Sequence, residues 1–129
     1  MKYIILSLAA ITTIHAATIT VIPKKSVTLE NKQLKRVISV ADGIHTSAIH
    51  NKLDGKSLTP TAGHAFVIHL ADGTTLTDKD FSITESESLE VDTSAKFTIG
   101  LSCNKPSIEV TLEYSLDEND FYTRKKLTL

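Results

Sequence analysis

Along most of this chain apolar and polar residues alternate. The clearest case is Ser107–Leu116, where Ile108, Val110, Leu112, Tyr114 and Leu116 take every second position, with Glu109, Thr111, Glu113 and Ser115 between them. A period of two marks a strand with one buried and one wet face. Phe97, Ile99 and Leu101 repeat the pattern within Ala95–Ser102, and Phe66, Ile68 and Leu70 repeat it within Ala65–Leu70. Shorter runs predict strands over Thr18–Ile22, Ser26–Leu29, Ile44–His50, Thr74–Leu76, Phe81–Thr84 and Ser86–Val91. Leu34–Val40 alternates more weakly. A return strand is expected from Phe121 to Leu129, with Phe121 in the core.

Turn residues separate these runs. Ala41-Asp42-Gly43 and Ala71-Asp72-Gly73 suit tight hairpins, because Asp and Gly tolerate positive φ. Their flanks otherwise differ, so they do not define a repeat. Asn104-Lys105-Pro106 and Asp117–Asp120 are further turns, Lys52–Gly63 reads as a loop and Thr77–Asp80 as a polar connection. Past the first residues no window of helical length carries an i, i+3, i+4, i+7 apolar stripe. The pattern predicts an all-β fold, an antiparallel β-sandwich in one domain. The chain stops within its last expected strand, which predicts the front part of a larger β-protein.

The opening residues follow another rule. Lys2 gives a positive start, Tyr3–Ile14 is apolar, and Ile14-His15-Ala16 offers a small residue before a cut. This predicts a signal peptide over residues 1–16, cleavage after Ala16, and a domain over 17–129 that is exported to a periplasm or secreted. The apolar run is shorter than the roughly 20 residues of a membrane span. No Cys follows it, which argues against a lipid anchor. The sole cysteine, Cys103, excludes an internal disulfide. A mature part of about 113 residues must therefore rely on its apolar core. Cys103 itself reads as a small buried hydrophobe, with no His placed beside it by the sequence. The net charge of −1 argues against nucleic acid and against an anionic membrane surface.

Candidate chemistry is sparse. His45 and His50 are five apart, as are His64 and His69, so each pair splits across two faces of a strand. A metal site would need one of each pair to converge with further ligands. Asp78-Lys79-Asp80-Phe81-Ser82 starts like a calcium loop, but Ile83 stands at the glycine position and Leu89 at the final glutamate position. Glu85 and Glu87, and Asp117, Glu118 and Asp120, lack the apolar and aromatic surroundings of a glycosidase carboxylate pair. They read as a wet strand face and a charged turn. Arg124 and Lys126 share one face of the last strand. A phosphate loop and a nucleophile elbow are both missing. No catalytic, cofactor-binding or metal-ligating residue is assigned. With Trp absent, Tyr122 is the one spare aromatic ring and the single candidate for contact with carbohydrate.

Several segments together resemble the N-terminal β-sandwich domain of α-galactosidase-like enzymes, glycoside hydrolase family 36 and its relatives. Leu29-Glu30-Asn31 with Leu34-Lys35-Arg36 is similar to an opening L-x-N-x-x-L-x-R, and Asn51-Lys52-Leu53-Asp54-Gly55 to an N-x-x-x-G loop. Ala65–Gly73 resembles a hairpin E-F-x-I-x-L-x-D-G, with Ala65 where an acidic residue is common. Tyr114 followed by Asp120-Phe121-Tyr122-Thr123-Arg124-Lys125 resembles the close of that domain. The likeness covers about Ile22–Leu129. It implies an incomplete β-supersandwich of the galactose-mutarotase type, placed before a (β/α)₈ barrel that carries two catalytic aspartates and retains anomeric configuration. No position here matches the barrel motifs. The implied function is therefore a domain or fragment that supports a downstream catalytic barrel and does not hydrolyse sugars alone. The alternatives from the residues themselves are a free-standing carbohydrate-binding module and a structural immunoglobulin-like module.

Overall fold

The structure is a computed structural model that describes residues 16–61 and 63–129. Of the expected signal peptide, all but Ala16 lies outside the described residues. The expected all-β antiparallel sandwich is what the chain forms. Its strands are β1 (Thr18–Ile22), β2 (Ser26–Glu30), β3 (Leu34–Ser39), β4 (His45–Asn51), β5 (Ser57–Leu58), β6 (Val67–His69), β7 (Thr75–Thr77), β8 (Ser82–Val91), β9 (Ser94–Asn104), β10 (Ser107–Leu116) and β11 (Arg124–Thr128).

Each large sheet is a meander of strands consecutive in sequence. One has the order β1-β2-β3-β4-β5, the other β11-β10-β9-β8, and β6-β7 form a separate hairpin between them in the chain. This order differs from the Greek key of immunoglobulin domains, where strands trade between sheets. The inward rows are the ones the alternation marks. Val27 and Leu29 of β2, with Leu34 and Ile38 of β3, face Phe97, Ile99 and Leu101 of β9 and Val110, Leu112, Tyr114 and Leu116 of β10. Phe66 and Phe81 add an edge-to-face aromatic pair, ring centroids 5.2 Å apart.

Three expectations change. Phe81–Thr84 and Ser86–Val91 are not two strands but parts of one, β8, with a bulge between Ile83 and Glu85. The bulge reverses the facing of the strand: Ile83 lies opposite the core residue Leu101, while beyond it Ser86 and Ser88, not Leu89 and Val91, lie opposite Ile99 and Phe97. The last strand begins at Arg124, three residues later than expected, because Asp117–Thr123 forms an extended turn. Phe121 therefore sits in that turn, 66% exposed, and not in the core. Finally, the loop expected over Lys52–Gly63 contains the two-residue strand β5, and Asp78–Asp80 forms a 3₁₀ turn.

Candidate functional site: a cationic cleft beside β11

Two buried polar side chains set the geometry here. Asn31, in the turn from β2 to β3, is 4% exposed and uses its whole carboxamide. Its oxygen accepts from the Gln33 and Leu34 N–H groups, both at 2.8 Å. Its nitrogen donates to the Asp117 and Asp120 carbonyls of the opposite sheet, also both at 2.8 Å. Full satisfaction makes burial of the amide affordable and pins the long turn before β11 to the β2–β3 turn. Asp78 is the second. It is 3% exposed, and accepts from the Ile44 N–H at 2.7 Å and the Ala65 N–H at 3.0 Å, with His64 Nδ1 at 3.1 Å. It ties the hairpin end at Gly43-Ile44 to the segment leading into β6. Gly43, at φ 73°, closes against it: a Cβ there would run into the Asp78 carboxylate.

Between these two ties lies a cleft of about 240 Å³, lined by Arg36, His45, Thr46, His64, Tyr114 and Lys125 among others. Arg36 pairs with Leu29 across β2–β3 and so points inward, in the same row as Leu34 and Ile38. Its guanidinium lies 5.1 Å from the centroid of the buried Tyr114 ring. Its Nε and Nη2 donate to Thr46 Oγ1 at 3.0 and 2.6 Å, and its Nη1 donates to Thr123 Oγ1. Lys125 pairs with Tyr114 across β10–β11 and also points inward. Its Nζ is 5.9 Å from the same ring and donates to the Ala65 carbonyl. Two cations thus approach one phenol ring, a geometry that favours both through the ring quadrupole. Neither has a carboxylate at ion-pair distance among the described residues.

The electrostatics follow from that arrangement. Burial pulls the Arg36 guanidinium below its ordinary pKa, and burial followed by the Arg36 charge does the same to Lys125. Lys125 is exposed as a residue, while its ammonium reaches the Ala65 carbonyl. Tyr114 is pushed up by burial, with Arg36 working against the rise. Outside the cleft, Asp117 is held below the usual carboxylate range by the Ser94 hydroxyl first and by Arg124 second. Arg124 also sits 2.8 Å from Asp120.

The other residues singled out in the sequence are scattered. Tyr122 is 55% exposed in the turn before β11; Arg124 stacks on its ring at 5.0 Å and donates to its hydroxyl at 2.9 Å. His45 and His64 do reach one cleft, one from each pair, while His50 bonds Ser57 and His69 bonds Thr75. No group of three or more His, Cys, Asp or Glu able to hold a metal occurs among the described residues. Asp80 closes its own 3₁₀ turn by accepting from the Thr77 N–H at 2.7 Å. Glu85 and Glu87 lie exposed on β8, and Cys103 is half-buried against the core. Arg36 and Lys125 enter the sequence analysis only as motif positions, with no site role assigned. The available signal was a cation breaking an inward apolar row: Leu34-x-Arg36-x-Ile38 and Lys125-x-Leu127.

The fold and cleft define an all-β, two-sheet protein with a polar opening beside its last strand. Comparison with known proteins gives no matching family model, no matching curated protein and no matching solved structure.

Proposed function

We propose that this chain is the exported N-terminal β-sandwich of an α-galactosidase-like glycoside hydrolase, an incomplete supersandwich that packs against a downstream catalytic barrel and is not catalytic alone. One observation carries the reading. The residues that hold the resemblance come from opposite ends of the chain and are each other's contacts: Asn31 with the Asp120 carbonyl, and Arg36 and Lys125 with the Tyr114 ring. Motifs so spaced in sequence have a joint structural reason to occur together. The exposed edge supports the partner. All of β11 is exposed, and Phe121, Leu127 and Leu129 offer apolar surface beside it.

The test uses the native protein from its source cells, followed by an antibody to this chain. The expected result is co-elution with α-galactosidase activity on a polypeptide several times longer than 129 residues, whose mature terminus is Ala17. A mature product of about 113 residues without that activity would overturn the reading. A second reading, a free-standing carbohydrate-binding module, is favoured by the adjacent exposed rings of Phe121 and Tyr122. It requires glycan-array binding by the chain alone that is lost in Tyr122→Ala.

A further inference from the structure

We infer that the cleft beside β11 is a binding site for a single carboxylate, held by the Arg36 guanidinium and the Lys125 ammonium beside Tyr114. The inference does not depend on the glycoside hydrolase reading. It starts from donors. A guanidinium carries five N–H groups and an ammonium three, and neither accepts. Arg36 places three of its five on the hydroxyls of Thr46 and Thr123, which leaves one N–H on each Nη without a protein acceptor among the described residues. Lys125 places one of its three on the Ala65 carbonyl. Both groups line the same opening, and His45 and His64 stand on its wall.

Charge points the same way. Two like charges against one ring, partly withdrawn from water, repel each other and gain from an anion between them. The Asp78 charge offsets part of this at Lys125, but its oxygens are engaged by the Ile44 and Ala65 N–H groups and by His64, and it makes no ion pair with either cation. A carboxylate fits the vacant donors better than a neutral hydroxyl would, because charge-assisted bonds to Arg and Lys are about twice as strong as neutral ones. It also suits the planar fork of Arg36. The same carboxylate chemistry can come from a sugar acid or from an acidic side chain of a protein segment.

The experiment is an NMR titration of the whole chain with sodium acetate, sodium glucuronate and neutral galactose at constant ionic strength. It follows Arg36 Nε–H and the Tyr114 ring. Saturable shifts with both carboxylates and none with galactose are expected. Glucuronate much tighter than acetate identifies a sugar acid as the ligand; equal, weak binding of the two identifies a bare carboxylate such as a side chain supplies. Lys125→Gln, at the rim, should weaken either by about tenfold, and Arg36→Lys should keep part of the affinity that Arg36→Gln loses. Lys126→Gln, on the outer face, should change nothing. Shifts that stay linear with anion concentration, or that survive Arg36→Gln and Lys125→Gln in a protein whose other resonances are intact, would overturn the inference.

Discussion

The two long edges of the sandwich are closed by different means. At the β1–β8 edge two backbone N–H groups reach across: the Ala17 N–H donates to the Thr93 carbonyl at 2.8 Å, and the Ile19 N–H to the Glu90 carboxylate at 2.7 Å. Beyond these bonds Val21, Ile22 and Ile83 lie exposed around an apolar groove. At the edge that β11 borders, side chains make the closure. Asn31 reaches two carbonyls of the opposite sheet, Arg36 reaches Thr123, and Lys125 reaches Ala65. The contrast is a matter of where polar groups meet. At β1–β8 the two bonds sit where β1 begins and β8 ends, and the space beyond them is lined mostly by apolar side chains. Side-chain closure holds the sheets at points and leaves a polar gap between them, which is where the cleft lies.

The side-chain edge is the one a point mutation can open. Asn31→Ala removes four hydrogen bonds at once and leaves two N–H groups and two carbonyls in a part-buried turn. A loss of about 3 kcal/mol is expected, read as a lower urea midpoint. NMR should place the largest changes at Asp117–Thr123. An effect below about 0.5 kcal/mol would show that the sheets do not depend on this clamp. The β1–β8 edge should respond less. Glu90→Ala strips one exposed acceptor from the Ile19 N–H, which water can replace, so a loss under about 1 kcal/mol is expected. A larger cost for Glu90→Ala than for Asn31→Ala would make the β1–β8 edge the one that depends on a side-chain tie.

How far the sequence reaches differs between the centre of the sandwich and its edges. Where one face is apolar throughout, as in β9 and β10, the period of two reads off the strand, its facing and its core residues directly. Phe97, Ile99, Leu101, Val110, Leu112, Tyr114 and Leu116 are all buried as expected. At the edges the rule weakens for physical reasons. A bulge adds one residue, so the phase of β8 reverses after Ile83 and leaves Leu89 and Val91 on the outer face, where alternation alone would turn them inward with Ile83. Gly100, opposite the bulge, makes this fit, since a Cβ there would collide with Thr84 and Glu85. A return strand starting at Phe121 would put that ring inside on the face of Leu127; the turn is longer, and Asn31 holds two of its carbonyls, a contact spanning nearly ninety residues. The cleft was hidden for a related reason. Arg36 and Lys125 look like ordinary surface cations until the register shows Leu29 and Tyr114 opposite them.

Lys125 gives the finest test of the contrast, because three effects on one side chain separate cleanly. Lys125→Met keeps the length of the stem and removes the charge. At neutral pH the stability change should stay within about 0.5 kcal/mol, since the lost bond to Ala65 is offset by relief from desolvation and from Arg36. The pH dependence is more telling. In the folded chain the Lys125 pKa lies below its ordinary value of 10.5, lowered by burial and then by Arg36. As pH rises toward 10.5 the folded form releases that proton before the unfolded form does, so stability increases with pH across that interval. Tyr114, raised above its ordinary 10.0, acts in the opposite sense above pH 10 but is common to both proteins. The parent should therefore gain stability relative to Lys125→Met just below pH 10.5; parallel curves would remove the case for a desolvated ammonium in the cleft. The third effect is association. An inward-pointing charge on an edge strand opposes pairing with another edge. Without it the inner face of β11 carries an unbroken apolar row with Leu127, already 37% exposed. Sedimentation should show Lys125→Met self-associating at lower concentration than the parent, whereas equal behaviour would mean that β11 is guarded by something other than this lysine.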